Sequence, residues 1–123
     1  MTTLPIYCRG DIANARTQLR NIILAEKWSS RMCLRAVSAL TSMVELMLDA
    51  NVMGNVNVEF VQQKGRRGVE LNSCLPLNMG QTISLAEMSH QLVRVVDAVK
   101  LTQTGNEVHI AASLWGDASG DPA

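Results

Sequence analysis

The chain is predicted to fold as an α+β two-layer sandwich: a mixed, mainly antiparallel sheet carrying three helices on one face. Three observations lead there. Segments of helical period alternate with segments of strand period. The strand-like segments come mostly in pairs joined by short links, which enforce antiparallel pairing. One helical stretch is apolar around most of its circumference, so a sheet or other helices must cover it on several sides.

That stretch is Ser30 to Asn51, SRMCLRAVSALTSMVELMLDAN. Its polar residues Arg31, Arg35, Ser38, Ser42, Glu45 and Asp49 are spaced alternately four and three apart, which lines them along one narrow stripe. Nearly everything else in it is apolar, including Ala39 and Met43, one above the other on the same face. Ser29 or Ser30 is the expected cap at its start. Before it, Leu4 to Cys8 reads as a short strand, with Pro5 placing it at a sheet edge or a strand start. Asp11 is the expected N-cap of a helix to about Trp28, burying Ile12, Ala15, Leu19, Ile22 and Ile23.

After a break at Asn51 to Asn55, punctuated by Gly54, Val56, Val58 and Phe60 alternate with polar residues. So do Val69 and Leu71, and residues 62–67 are the expected hairpin loop. LPLNMGQTI reads as a loop. Ser84 and Glu87 form the S-x-x-E pattern of a capping box, opening a third helix to about Ala98 that buries Leu85, Met88, Leu92, Val95 and Val96. A second hairpin, turning at Gly105-Asn106, closes the single domain, residues 1–115; the small polar tail 116–123 is expected to be flexible.

Composition narrows the function classes. A chain of 123 residues, 47% hydrophobic and 18% charged, suits one soluble domain. Eleven basic and eleven acidic residues leave no net field to attract nucleic acid or an anionic membrane. No apolar run approaches the roughly 20 residues of a membrane span. Three scattered cysteines, Cys8, Cys33 and Cys74, without a CxxC pair, speak for a reducing, cytoplasmic setting and against a disulfide framework or a zinc site.

The layout, and especially DIANARTQLRNIILAEKWSSRMCLRAVSALTSMVELMLDA followed by the hairpin and then HQLVRVVDAVKLTQTGNEVHIAASLW, resembles the small serine/threonine kinases of the anti-sigma factor and stress-switch type. These belong to the histidine-kinase-like ATPase superfamily shared with gyrase and the ninety-kilodalton chaperones. The resemblance covers about residues 5–115 and lies in pattern and spacing. It implies that fold, a bacterial signalling role, and sigma factors or anti-sigma-antagonist domains as protein partners, with homodimerisation as a further option.

The departures from the family are specific. Its central helix carries a Glu that orients a nucleophile and, four residues on, an Asn that helps hold Mg²⁺; these fall on Ala39 and Met43. Alanine has no base, and a thioether is too soft for Mg²⁺. The family's adenine-binding Asp and the Gly-x-Gly after it fall on Asn72, Cys74 and Pro76. Asn72 retains an acceptor, but both glycines are gone. Counting back from Arg94 and Asp97, which fit the pattern, the lid glycines fall on Ala86, Met88 and Gln91. Glu87 in the first helical turn competes with any phosphate for the helix dipole.

Other polar residues read as structural. His90 and His109, 19 apart, have no third donor at ligand spacing; Cys74 has no His near it in sequence; Ser38 and Ser42 have no base at triad spacing; and Arg66-Arg67 reads as a solvated loop tip. Met32, Met43 and Met47 are expected as core filling, with an adaptable protein-binding groove as the other reading. The expectation is therefore a degenerate, non-catalytic module with no catalytic residues, metal or cofactor, acting through a protein partner. The alternatives are an active ATP- and Mg²⁺-dependent serine/threonine kinase with a divergent site, or a self-associating structural domain.

Overall fold

The computed structural model describes residues 2–78 and 83–116. Expectations for the loop at 79–82 and the tail at 117–123 lie outside them. The elements are β1 (Thr2–Ile6), α1 (Asp11–Ala25), α2 (Ser30–Asp49), β2 (Gly54–Gln63), β3 (Arg66–Pro76), α3 (Leu85–Leu92), β4 (Ala98–Thr104) and β5 (Glu107–Trp115). They build an α+β domain around one five-stranded sheet of order β1-β2-β3-β5-β4.

Every neighbouring pair in the sheet is antiparallel, which corrects the expectation of a mixed sheet. The crossover through α3 returns the chain so that β4 runs the same way as β3. β5 then folds back into the slot between them and pairs with both. β1, β3 and β4 therefore share one direction and β2 and β5 the other, and no two strands of like direction are neighbours.

Strand alternation divides the sheet into two unlike faces. Leu4, Ile6, Val56, Val58, Val69, Leu71, Leu75, Val108, Ile110 and Leu114 point inward and are buried. Ser73 joins them as a buried polar residue, its hydroxyl donating to the Asn55 carbonyl at 2.6 Å. The helices cover this face. α2 lies between α1 and α3 and against β5, and Met32, Ala36, Ala39, Leu40, Met43, Val44 and Met47 are sealed beneath it. Each large side chain so enclosed contributes about 1.5–3 kcal/mol relative to exposure. The polar stripe of α2 remains at the surface or half-buried, with Arg31, Ser38, Glu45 and Asp49 exposed.

Local chemistry sets the boundaries. The Ser29 hydroxyl accepts from the Met32 amide at 3.1 Å and caps α2. Asp11 is the first residue of α1, with Gly10 at the N-cap position; its carboxylate reaches back to accept from the amides of Tyr7 at 2.8 Å and Cys8 at 3.2 Å. α1 stops at Ala25 because Lys27 takes a positive φ of 62° and turns the chain into α2. The β2–β3 hairpin is tighter than the sequence suggests. Only Lys64 and Gly65 separate the strands, both at positive φ, as a type I′ turn requires. Gly68 is needed inside β3, since a β-carbon there would come within 2.6 Å of the Leu114 carbonyl oxygen and the Trp115 ring.

α3 ends at Leu92, short of the expected Ala98. The β-branched Val93, Val95 and Val96 are poor helix formers. The Val95 and Val96 amides fold back onto the Leu92 carbonyl, and the Asp97 amide already donates to Ser113 of β5 at 2.9 Å. Among the described residues no helix is long and apolar enough to cross a membrane.

Candidate functional site

The five positions equated with a nucleotide site do not share a cleft. The face of α2 that meets the sheet carries Ala39 and Met43, both with no exposed surface. On β3, Asn72, Cys74 and Pro76 alternate with Leu71, Ser73 and Leu75, and the period of two turns the first set to the open face of the sheet. The sheet thus separates Ala39 and Met43 from the other three. Asn72 is also engaged through both its amide oxygen and its amide nitrogen. Its amide oxygen accepts from Asn57 at 3.2 Å, and its nitrogen donates to Glu59 at 3.2 Å and Glu70 at 3.1 Å. With Thr3 donating to Asn57 at 3.0 Å, these side chains form a hydrogen-bonded row across β1, β2 and β3.

The positions equated with lid glycines, Ala86, Met88 and Gln91, lie within the regular turns of α3. Ser84 caps that helix by accepting from the Glu87 amide at 3.2 Å, so one N-terminal donor is already satisfied. Between this end of α3 and the C-terminal half of α2 runs a groove of about 440 Å³. Its walls present the carboxylates of Glu45, Asp49 and Glu87 beside Leu46, Ile83 and Met88, and among the described residues no Lys or Arg lines it. Arg9 reaches Asp49 from outside at 2.8 Å, an exposed pair that offsets one of the three charges only partly.

Asp97, which fits the kinase pattern by position, has a structural partner set. Its carboxylate accepts from Arg35 of α2 at 2.9 Å and from the Trp115 amide at 2.7 Å, fastening the end of β5 to the central helix. The Arg66-Arg67 pair is not a free loop tip. Arg66 stacks over the Trp115 ring at 5.6 Å and Arg67 over the Trp28 ring at 4.8 Å. Both belong to β3, so the hairpin that was expected to expose them instead presents them to aromatic faces.

A group of reactive side chains that sequence spacing could not assemble stands on the open face. Cys74 of β3 pairs directly with His109 of β5, and Glu107, two residues before His109, projects from the same face. The Cys74 thiol donates to Glu107 Oε2 at 2.8 Å and lies 3.7 Å from His109 Nε2. His109 Nε2 is 3.7 Å from Glu107 Oε2. All three residues are exposed. The hydrogen bond to Glu107 holds the thiol above its ordinary pKa, with partial desolvation and the carboxylate's charge adding in the same direction. The expectation that His109 lacks further donors is thereby corrected. The pattern in the sequence was two strands whose outward positions carry Cys on one and Glu-x-His on the other; their pairing was not visible there. His90, exposed on α3, lies on the other side of the sheet.

No protein-family model matches this chain, and no curated protein matches it.

Proposed function

We propose that this domain is a non-catalytic regulatory module of the anti-sigma and switch-kinase type, which has the histidine-kinase-like ATPase architecture and acts in the bacterial cytoplasm by binding a partner protein. The element order, with a pair of helices after the first strand and a third between two hairpins, supports the architecture. The observation that carries the functional reading is the groove between α2 and α3. It is bordered by Met88 and Gln91, two of the positions equated with the lid, and among the described residues it presents Glu45, Asp49 and Glu87 with no cationic residue in its lining.

Phosphoryl transfer depends on positioning and on neutralising charge that develops at the phosphate. Three carboxylates act against both. Ala39 and Met43 supply neither a base nor a hard metal ligand, and both are buried in the core. Loss of one such contact typically lowers turnover about 10²- to 10³-fold, and several losses together leave none of use. The partner proposed is a sigma factor or an anti-sigma-antagonist-like domain, with a second copy of the chain as the other protein partner.

The test is a calorimetric titration of the purified domain against sigma factors and antagonist domains from the same cell, with and without ATP and Mg²⁺, alongside a phosphate-transfer assay with labelled nucleotide. Saturable binding that is indifferent to nucleotide, with no label transferred, is the expected result. Binding that requires ATP, or label on the partner, would instead establish the active kinase.

A further inference from the structure

We propose that Cys74, Glu107 and His109 form a binding site for a zinc-type divalent transition-metal ion on the open face of the sheet, with a fourth coordination position left to water or to an incoming ligand. The proposal is independent of the reading of the α2–α3 groove. It rests on donor chemistry and geometry.

One thiolate sulfur, one imidazole nitrogen and one carboxylate oxygen are ligand types that zinc accepts together, and a hard ion such as Mg²⁺ or Ca²⁺ does not favour the sulfur. A tetrahedral zinc, with bonds of about 2.0–2.3 Å to such donors, sets them about 3.3–3.6 Å apart. Here two of the three separations are 3.7 Å, Cys74 Sγ to His109 Nε2 and His109 Nε2 to Glu107 Oε2. The third, Cys74 Sγ to Glu107 Oε2, is 2.8 Å and reflects the shared proton. Binding the ion releases that thiol proton to solvent, and rotation of the exposed Glu107 side chain opens the short edge. The thiolate and carboxylate together neutralise a divalent charge.

The platform is suited to hold the donors in place. Cys74 and His109 are direct partners on two paired strands, and Glu107 is fixed by the same β5 backbone. The thiol-to-carboxylate hydrogen bond also argues against the competing reading of a cysteine nucleophile, which needs the thiolate that Glu107 disfavours. Cys74 and His109, together with Asn72, Lys100, Thr102 and Thr104, help line a shallow concavity of about 430 Å³. The fourth position opens into it, and Lys100 there favours water-derived hydroxide or an anionic donor over a cationic one.

The test uses the full chain, reduced, titrated with Co²⁺ alone and followed by absorbance. The expected result is one equivalent of Co²⁺ bound, with a thiolate-to-cobalt charge-transfer band in the near ultraviolet that an equivalent of Zn²⁺ removes. The band should vanish in Cys74→Ser and persist in Cys8→Ser. In His109→Ala and Glu107→Gln the apparent affinity should fall by about tenfold or more. All of these positions are exposed, so circular dichroism should show each variant folded. Absence of a band in the folded wild type, a band that survives Cys74→Ser, or unchanged affinity in both His109→Ala and Glu107→Gln would each overturn the site.

Discussion

Substituting Ala39→Glu puts the catalytic carboxylate of the resembled kinases back where the central helix would carry it, and the packing around that position sets the cost. Ala39 has no exposed surface, and Met43, one turn along the same face, is equally sealed. Four added heavy atoms must therefore enter a filled core. Overpacking of that kind costs about 1–3 kcal/mol. A carboxylate there, ionised without a partner or neutralised by a raised pKa, costs about 2 kcal/mol or more besides. A total near 4 kcal/mol is a large share of the roughly 5–15 kcal/mol that holds a domain of this size together. At about 4 °C per kcal/mol, the melting temperature should fall by about 15 °C. Urea unfolding followed by the fluorescence of buried Trp28 measures the first quantity, and an ATPase assay on the remaining folded fraction should read zero turnover. An unfolding midpoint equal to that of the parent protein, or any gain in hydrolysis, would refute the reasoning, because it would mean that polar space exists beside Ala39.

Three further outcomes are expected. Ser29→Ala removes the α2 cap bond to the Met32 amide and should lower stability by about 1 kcal/mol in chemical denaturation. Lys64→Asn places a residue that tolerates positive φ in the Lys64-Gly65 turn and should raise stability by a few tenths of a kcal/mol, about 0.5 at most, measured the same way. Because the bond to Glu107 raises the pKa of the Cys74 thiol, its alkylation by iodoacetamide should accelerate only at a more alkaline pH than an unperturbed thiol requires. Glu107→Gln should shift that rate profile back toward neutral pH, as peptide mass mapping of Cys74 can follow.

Much of the fold was legible because local signals agreed. The narrow stripe from Arg31 to Asp49 located the central helix within two residues, and the alternation around Val56, Val69, Val99 and Val108 located both hairpins. What failed was non-local or chemically ambiguous. Val93 to Val96 continued an amphipathic pattern while belonging to a turn, since periodicity does not register the β-branched preference for leaving a helix. The insertion of β5 between β3 and β4 has no local signature, and it decides both the wholly antiparallel sheet and the meeting of Cys74 with His109, 35 residues away. The same limit applied to the nucleotide positions. Motif spacing equated Ala39 and Met43 with Asn72, Cys74 and Pro76 as one site, but only strand phase reveals that β3 turns the last three away from the helices.

The central claim, that the domain has no working nucleotide site, is tested most directly by the melting temperature with and without millimolar ATP and Mg²⁺. Binding at 100 times the dissociation constant would add about 2.7 kcal/mol of stability, a rise of about 10 °C for a domain of this size. The acidic groove formed by Glu45, Asp49 and Glu87 predicts no rise beyond that produced by the same ionic strength of salt. A saturable, Mg²⁺-dependent increase would contradict the account and establish nucleotide binding.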